Sequence, residues 1–279
     1  LNSSFENLEL IISDDCSSDS TCSIITQFKD PRIIFFKQKV NIGEYQNRNF
    51  CIEKASGQYS LFIDGDDLIY PHGLEVMYQY TKRLPSCGMY LMRWYRRNIV
   101  YPVIVEPDAF LKAVIFNYGL NDIAFSNTLF NTEILKRYYP LPTKYKSGDN
   151  YIRLKIGTKH NIGLISDGLT WWRETPNQAS SRPIKNFSKI IDELNMVKEF
   201  YFNNIDWFSS IEKKRALENF KLSEIKQSIK YLKSGEINIS FKLMRHFKLN
   251  IFTLLKYKKD YYSIDIFHCN DPSNPANYR

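Results

Sequence analysis

Several features are scarce or missing in this chain of 279 residues, and each absence narrows the reading. No run of about 18 apolar residues occurs, so no transmembrane helix is expected. The first residues, Leu1-Asn2-Ser3-Ser4, have neither a basic start nor an apolar core, so no signal peptide is expected. An initiator Met is also absent, and the chain is read as a fragment or a processed form. Cysteine is sparse: Cys16, Cys22, Cys51, Cys87 and Cys269 are odd in number and form no CxxC pair. They are expected to be reduced thiols in a cytoplasmic compartment, against a disulfide framework or a zinc site. No internal repeat or low-complexity linker is visible. No recognised binding motif accompanies the positive charge, so nucleic acid is not an expected partner.

That charge is unevenly placed. Residues 1–181 hold 20 Lys and Arg against 19 Asp and Glu, whereas residues 182–262 hold 17 against 9. The first part is near neutral and the second strongly basic, which implies one chemical and one electrostatic role. Two domains are expected, 1–181 and 182–279, the second a basic helical extension. Within it, residues 241–262 interleave Lys and Arg with Phe, Leu and Tyr. That mixture fits either a solvated helix face or peripheral contact with an anionic membrane, on its inner face.

The pattern through residue 70 alternates strand and helix. Leu8–Ser13 reads as a buried strand and ends in Asp14-Asp15, followed by a helix at about 20–29. Arg32–Lys37 is a second strand, Glu44–Ala55 a helix closed by Gly57, and Tyr59–Ile63 a third strand. This order predicts an α/β fold with a mostly parallel central sheet and right-handed crossovers. Pro71–Arg83, 108–117 and 131–139 are expected to be helical, and Ile123–Phe130 and Ile162–Ile165 strands. Helices are also expected at 209–220 and 222–233. Asp149 stands near the start of a helix at Tyr151–Ile156.

The strongest local signal is Asp64-Gly65-Asp66-Asp67, directly after the third strand. A strand cannot hold three unpaired carboxylates in its buried middle. Just past its carboxyl end they would line a ligand site, where open α/β sheets bind their ligands. Clustered carboxylates need a cation between them, and hard oxygens suit Mg²⁺ or Mn²⁺. The alternative is a polar Asp/Gly turn. In a parallel sheet the end at Asp14-Asp15 lies on the same edge, which favours the site. Asp14 and Asp15 also suit helix capping, Asp149 suits an N-cap, and Arg48 and Arg173 suit ordinary structural roles. Trp171 and Trp172 are expected in the core more than as sugar-stacking platforms.

Together, these segments resemble the family 2 glycosyltransferases of the GT-A fold. The matching residues are Glu9–Asp19, Asn41-Ile42-Gly43 with Asn47-Arg48-Asn49, Ala55–Tyr59, Phe62–Asp67, Ser126–Phe130 and Ser147-Gly148-Asp149. The resemblance covers about residues 5–181. It implies inverting transfer of a sugar from a nucleotide-diphosphate sugar, a UDP-sugar first among them. The acceptor would be a glycan or lipid-linked molecule of surface polysaccharide synthesis, and the cofactor Mn²⁺ or Mg²⁺. Asp15, with Asp14 beside it, would accept from the base N–H. Arg48 would approach the base or diphosphate, and Asp66 the ribose. Asp67 would hold the metal with Asp66, and Asp64 would support the cluster. Asp149 would be the general base, and Arg173 would bind the diphosphate. The family's usual first strand, ending in Pro-Thr-Tyr-Asn, has no counterpart ahead of Leu8. Cys16 stands where Gly is usual, and Thr175-Pro176 where a His often follows the late Arg. The alternative is an inactive fragment of the fold acting as a binding or scaffold module.

Overall fold

The computed structural model describes residues 1–93, 100–116, 123–173, 184–250 and 252. Trp94-Tyr95, Ile99, Thr175-Pro176, Cys269, the basic stretch 253–262 and the tail 270–279 lie outside the described residues. The chain divides into two compact units: residues 1–110 with 121–178, and residues 111–120 with 179–279. Residues 111–120, expected in the first domain, group with the second unit.

In chain order the first unit begins β1 (Leu10–Asp14), α1 (Thr21–Ile25), β2 (Ile33–Lys37), α2 (Glu44–Lys54) and β3 (Tyr59–Leu61). It continues with β4 (Leu68–Ile69), α3 (Gly73–Arg83), β5 (Met89–Arg93), β6 (Val103–Val105) and the start of α4 (Pro107–Ile115). After a 3-10 turn at Phe125–Asn127 come β7 (Thr128–Asn131), α5 (Thr132–Tyr138), α6 (Gly148–Gly157), β8 (Ile162–Ser166) and β9 (Thr170–Trp171).

The α/β class is as expected. The strands form three sheets: parallel β1–β2, a five-stranded sheet ordered β3-β7-β5-β8-β6, and antiparallel β4–β9. In the larger sheet β5 and β8 pair in parallel, and β3 runs the same way because β7 is antiparallel to both β3 and β5. The first three strands were expected in one parallel sheet, but β1 and β2 form a sheet of their own, and β3 pairs with β7, contributed by residues about 70 positions later. Strand pairing is non-local, and nothing in a local pattern specifies it.

The core lies under β5 and β8. Met89, Tyr90, Leu91 and Met92 are all buried, as are Ile162, Leu164 and Ile165. An unbroken apolar run of this kind belongs to a strand covered on both faces. Gly163 is required there, since a Cβ on it would stand 2.5 Å from the Tyr90 ring. By contrast β1 and β2 are only partly covered, with Leu10 and Ile34 exposed. Thiol chemistry follows this division. Burial pushes the Cys87 thiol up to about 11, whereas Cys16 is exposed. A thiolate is the reactive form. Brief labelling at pH 8 followed by peptide mapping is therefore expected to modify Cys16 and spare Cys87 until the chain unfolds.

Several expected elements are shorter. Helix α1 covers only Thr21–Ile25, and β3 stops at Leu61 because β7 begins only after the 3-10 turn. Phe62 then leaves the ladder and stacks on Phe125, with ring centroids 4.5 Å apart.

The second unit includes α7 (Phe187–Asn203), α8 (Ser210–Lys233) and α9 (Ile237–His246). The two helices expected at 209–220 and 222–233 are one, α8, because Lys221 offers no break. It opens with a capping box between Ser209 and Glu212. The turn after it carries Gly235 at φ +81, a conformation glycine adopts without strain. Ile190, Tyr231 and Leu243 join the three helices in one apolar cluster.

Candidate active site

The candidate site is built around the amino-terminal end of α2. Asp15 accepts from the backbone N–H of Ile42 at 2.7 Å and of Gly43 at 2.9 Å. Gly43 is the N-cap, with φ +89. Three consecutive residues of the helix then reach three different segments. Asn47 donates to the Ser13 carbonyl at 2.8 Å and accepts from its hydroxyl at 2.6 Å, pinning the end of β1. Arg48 pairs with Asp64 at 2.7 Å and with Glu44 at 2.9 Å. Asn49 exchanges two hydrogen bonds with the backbone of Leu141. The loop after β1 and the loop after β3 therefore meet at one helix end.

Asp14 is buried and turned into its own loop. It accepts from the Ser17 N–H at 3.0 Å and from the Cys22 thiol at 3.2 Å. A hydrogen bond from the Ser17 side chain first, and then those from the Ser17 N–H and the Cys22 thiol, hold the Asp14 carboxyl below the usual range despite burial. Asp14 does not cap α1, whose N-cap is Ser20 with no side-chain cap bond. Arg48 is mostly buried, and its guanidinium also lies 5.1 Å from the Phe125 ring centroid. Burial works against its charge, but Asp64 and Glu44 outweigh that and raise its pKa.

Within the acidic loop, the Asp67 N–H donates to the Asp64 carbonyl, closing a tight turn. Leu68 then pairs with Trp171 in the β4–β9 ladder, which brings Arg173 alongside Asp67. Asp67 is buried, and its carboxylate accepts from the Arg173 backbone N–H at 3.1 Å. Trp171 and Trp172, expected in the core, are 52% and 42% exposed. The β4–β9 ribbon is only two residues long on each side and leaves their faces uncovered.

Asp149 stands in the first turn of α6, joined to Arg153 at 3.0 Å. Arg153 is buried, and its other nitrogen donates to the Ile123 carbonyl at 2.7 Å and to the Thr128 hydroxyl at 3.2 Å. It also donates to Asn150. Tyr45, in the first turn of α2, ties in the start of α6. Its hydroxyl donates to the Lys146 carbonyl at 2.5 Å and accepts from the Gly148 N–H at 2.8 Å. Burial, with Asp149 and Glu44 nearby, pushes the Tyr45 phenol well above its ordinary value.

The structure therefore brings Asp15, Arg48, Asp64 and the Asp149 segment together around α2, with Asp67 and Arg173 joined beside Asp64. Glu44, Tyr45 and Arg153 were not singled out from the sequence, and Asn47 entered only as part of the resemblance. Arg153 left a signal, a charged residue at i+4 from Asp149 flanked by Ile152 and Leu154. Among the described residues, no three His, Cys, Asp or Glu side chains are grouped as a ready-made metal cage. Two neighbouring carboxylates still suit Mg²⁺, which is commonly held by one or two carboxylates plus substrate phosphates and water.

This α/β scaffold, with acidic loops after its strands, matches known sugar-transfer folds. A complex of Staphylococcus aureus TarS (residues 1–349) with UDP-GlcNAc aligns over 88% of this chain and 85% of its own, with TM-score 0.57 and 17% identity. The sequence model described as Glycosyl transferase family 2 matches residues 1–139, and the chain belongs to that family. Two Escherichia coli proteins, WfaP and WfgD, are each described as a UDP-Glc:alpha-D-GlcNAc-diphosphoundecaprenol beta-1,3-glucosyltransferase. WfaP is 42% identical over 67 residues, 24% of this chain and 27% of its own. WfgD is 26% identical over 202 residues, 70% of this chain and 76% of its own. The chain spans less than half the length of several curated relatives it matches.

Proposed function

We propose that this protein transfers a sugar from a UDP-sugar to a lipid-linked acceptor, with inversion at the anomeric carbon. The observation that carries the reading is the convergence of Asp15, Asp64 and the Asp149 segment on one end of α2, with Asp67 one turn beyond Asp64. The family and the diphosphoundecaprenol-linked substrates named for WfaP and WfgD support the donor and acceptor classes. A lipid-linked acceptor also fits work at the cytoplasmic face of a membrane in surface polysaccharide synthesis.

In this reading Asp149 takes the proton from the acceptor hydroxyl, and Arg153 fixes the carboxylate's direction. The acceptor oxygen forms its bond to the anomeric carbon as the bond to the departing diphosphate breaks, so one base on the opposite face suffices. Asp66 and Asp67 would hold Mn²⁺ or Mg²⁺, which offsets charge on the departing diphosphate. Asp15 and Asp14 form the wall for the nucleoside. Arg48 aims Asp64 at the cluster, and Arg173 lies where the diphosphate would pass.

The test is UDP release with Mn²⁺, a panel of UDP-sugars and a GlcNAc-diphosphate-polyprenol acceptor. The unmodified protein is expected to release UDP at least about a hundredfold faster than Asp67→Asn, the scale of a lost transition-state charge contact. Equal rates with every donor sink the proposal. The scaffold-module alternative predicts UDP binding by calorimetry with no release.

A further inference from the structure

Helix α9 packs by one side only. Ser240 and Leu243 are buried, with the Ser240 hydroxyl donating to the Ser228 carbonyl of α8 at 2.8 Å. The opposite side carries Ile237, Phe241 and Arg245 four residues apart, which stacks them on one face. Ile237 is 51% exposed and Phe241 58%. Phe252, just beyond the helix, is 76% exposed. Lys242, Arg245 and Lys248 are exposed as well. No acidic residue occurs from Ile237 to Phe252.

Apolar side chains turned outward are costly in water unless another apolar phase takes them. Here they sit in a stretch, Ile237–Phe252, whose charges are all basic, preceded by Glu236 at the helix N-cap. The two properties occur together in interfacial helices, which sink an apolar strip below the headgroups while basic side chains meet the phosphates. A polyphosphate strand would satisfy the charges but would leave Ile237 in water.

We propose that the outward face of α9 and the turn after it are the surface by which the protein docks on an anionic lipid bilayer. Ile237 and Phe241 enter the acyl boundary, and Lys242, Arg245 and Lys248 contact lipid phosphates. This deepens the lipid-linked-acceptor reading and rests on it for its purpose. Its test is separate, because vesicle binding is measured without donor or acceptor.

The experiment is vesicle flotation of the full chain at low salt. Vesicles of phosphatidylcholine alone are compared with vesicles containing phosphatidylglycerol. Binding to the anionic vesicles is expected to be at least about tenfold tighter and to fall as salt is raised. Phe241→Ser, and separately Lys242→Gln with Arg245→Gln, are each expected to weaken it about tenfold. Ile237→Ser is a second apolar probe, and circular dichroism melting checks that each variant folds. Equal binding to both vesicles, or binding unmoved by folded variants, overturns the proposal. So does preference for a nucleic-acid oligonucleotide with no vesicle binding. A vesicle result of either kind leaves soluble UDP release to judge the transfer reading.

Discussion

Asp149→Asn is expected to lower sugar transfer by about 10²–10⁴-fold, the range contributed by a positioned general base. Asparagine keeps the size of the side chain and can still accept from Arg153, so the start of α6 should hold. It cannot take up a proton at neutral pH. Donor binding should stay within a factor of a few, since Asp149 is proposed to face the acceptor. The measurement is single-turnover transfer at saturating UDP-sugar, with UDP affinity measured separately by calorimetry. Transfer within threefold of the unmodified protein would remove Asp149 as the base. In that event Asp149 would be an N-terminal partner of α6 and nothing more.

The second large effect concerns stability. Arg153→Ala is expected to cost about 3 kcal/mol in denaturant unfolding, near the lower end for breaking a buried ion pair. The Arg153 side chain is only 3% exposed and that of Asp149 20%, so water screens the pair poorly. The substitution also strips donors from the Ile123 carbonyl and the Thr128 hydroxyl. Those groups flank the 3-10 turn at Phe125–Asn127, and Phe125 supports Phe62 at the start of the acidic loop. Arg153→Met, which restores bulk without charge, should recover part of the loss. A change below about 1 kcal/mol in Arg153→Ala would show that the pair is not a structural tie. Arg153→Lys keeps the charge but loses the planar fork, so transfer should fall more than stability.

Much of this site was legible because its residues obey a local rule. Apolar strands running into carboxylates, at Ser13-Asp14-Asp15 and Phe62-Ile63-Asp64, mark where a strand gives way to a loop, although β3 itself stops at Leu61. Asn47-Arg48-Asn49 was recognisable only through resemblance, and the structure supplies its physical meaning: each side chain clamps a different segment. The pairing of β3 with β7 was not legible, because both strands read equally well beside other partners. The continuity of α8 was missed where no Gly or Pro marked a break. The exposure of Trp171 and Trp172 was missed because composition predicts burial for such large apolar rings. Only the shortness of the β4–β9 ribbon explains why they stay uncovered. Arg153 was within reach, since a buried apolar helix face does not take a charge without a partner close by.

The crowding of contacts at the end of α2 has a consequence for how the pocket breathes. Ser13, Asp15, Asp64, Leu141 and Gly148 are each held by this helix or its cap, through Asn47, Gly43, Arg48, Asn49 and Tyr45. Their walls are therefore not independent. A small roll of this one helix would carry all five segments with it.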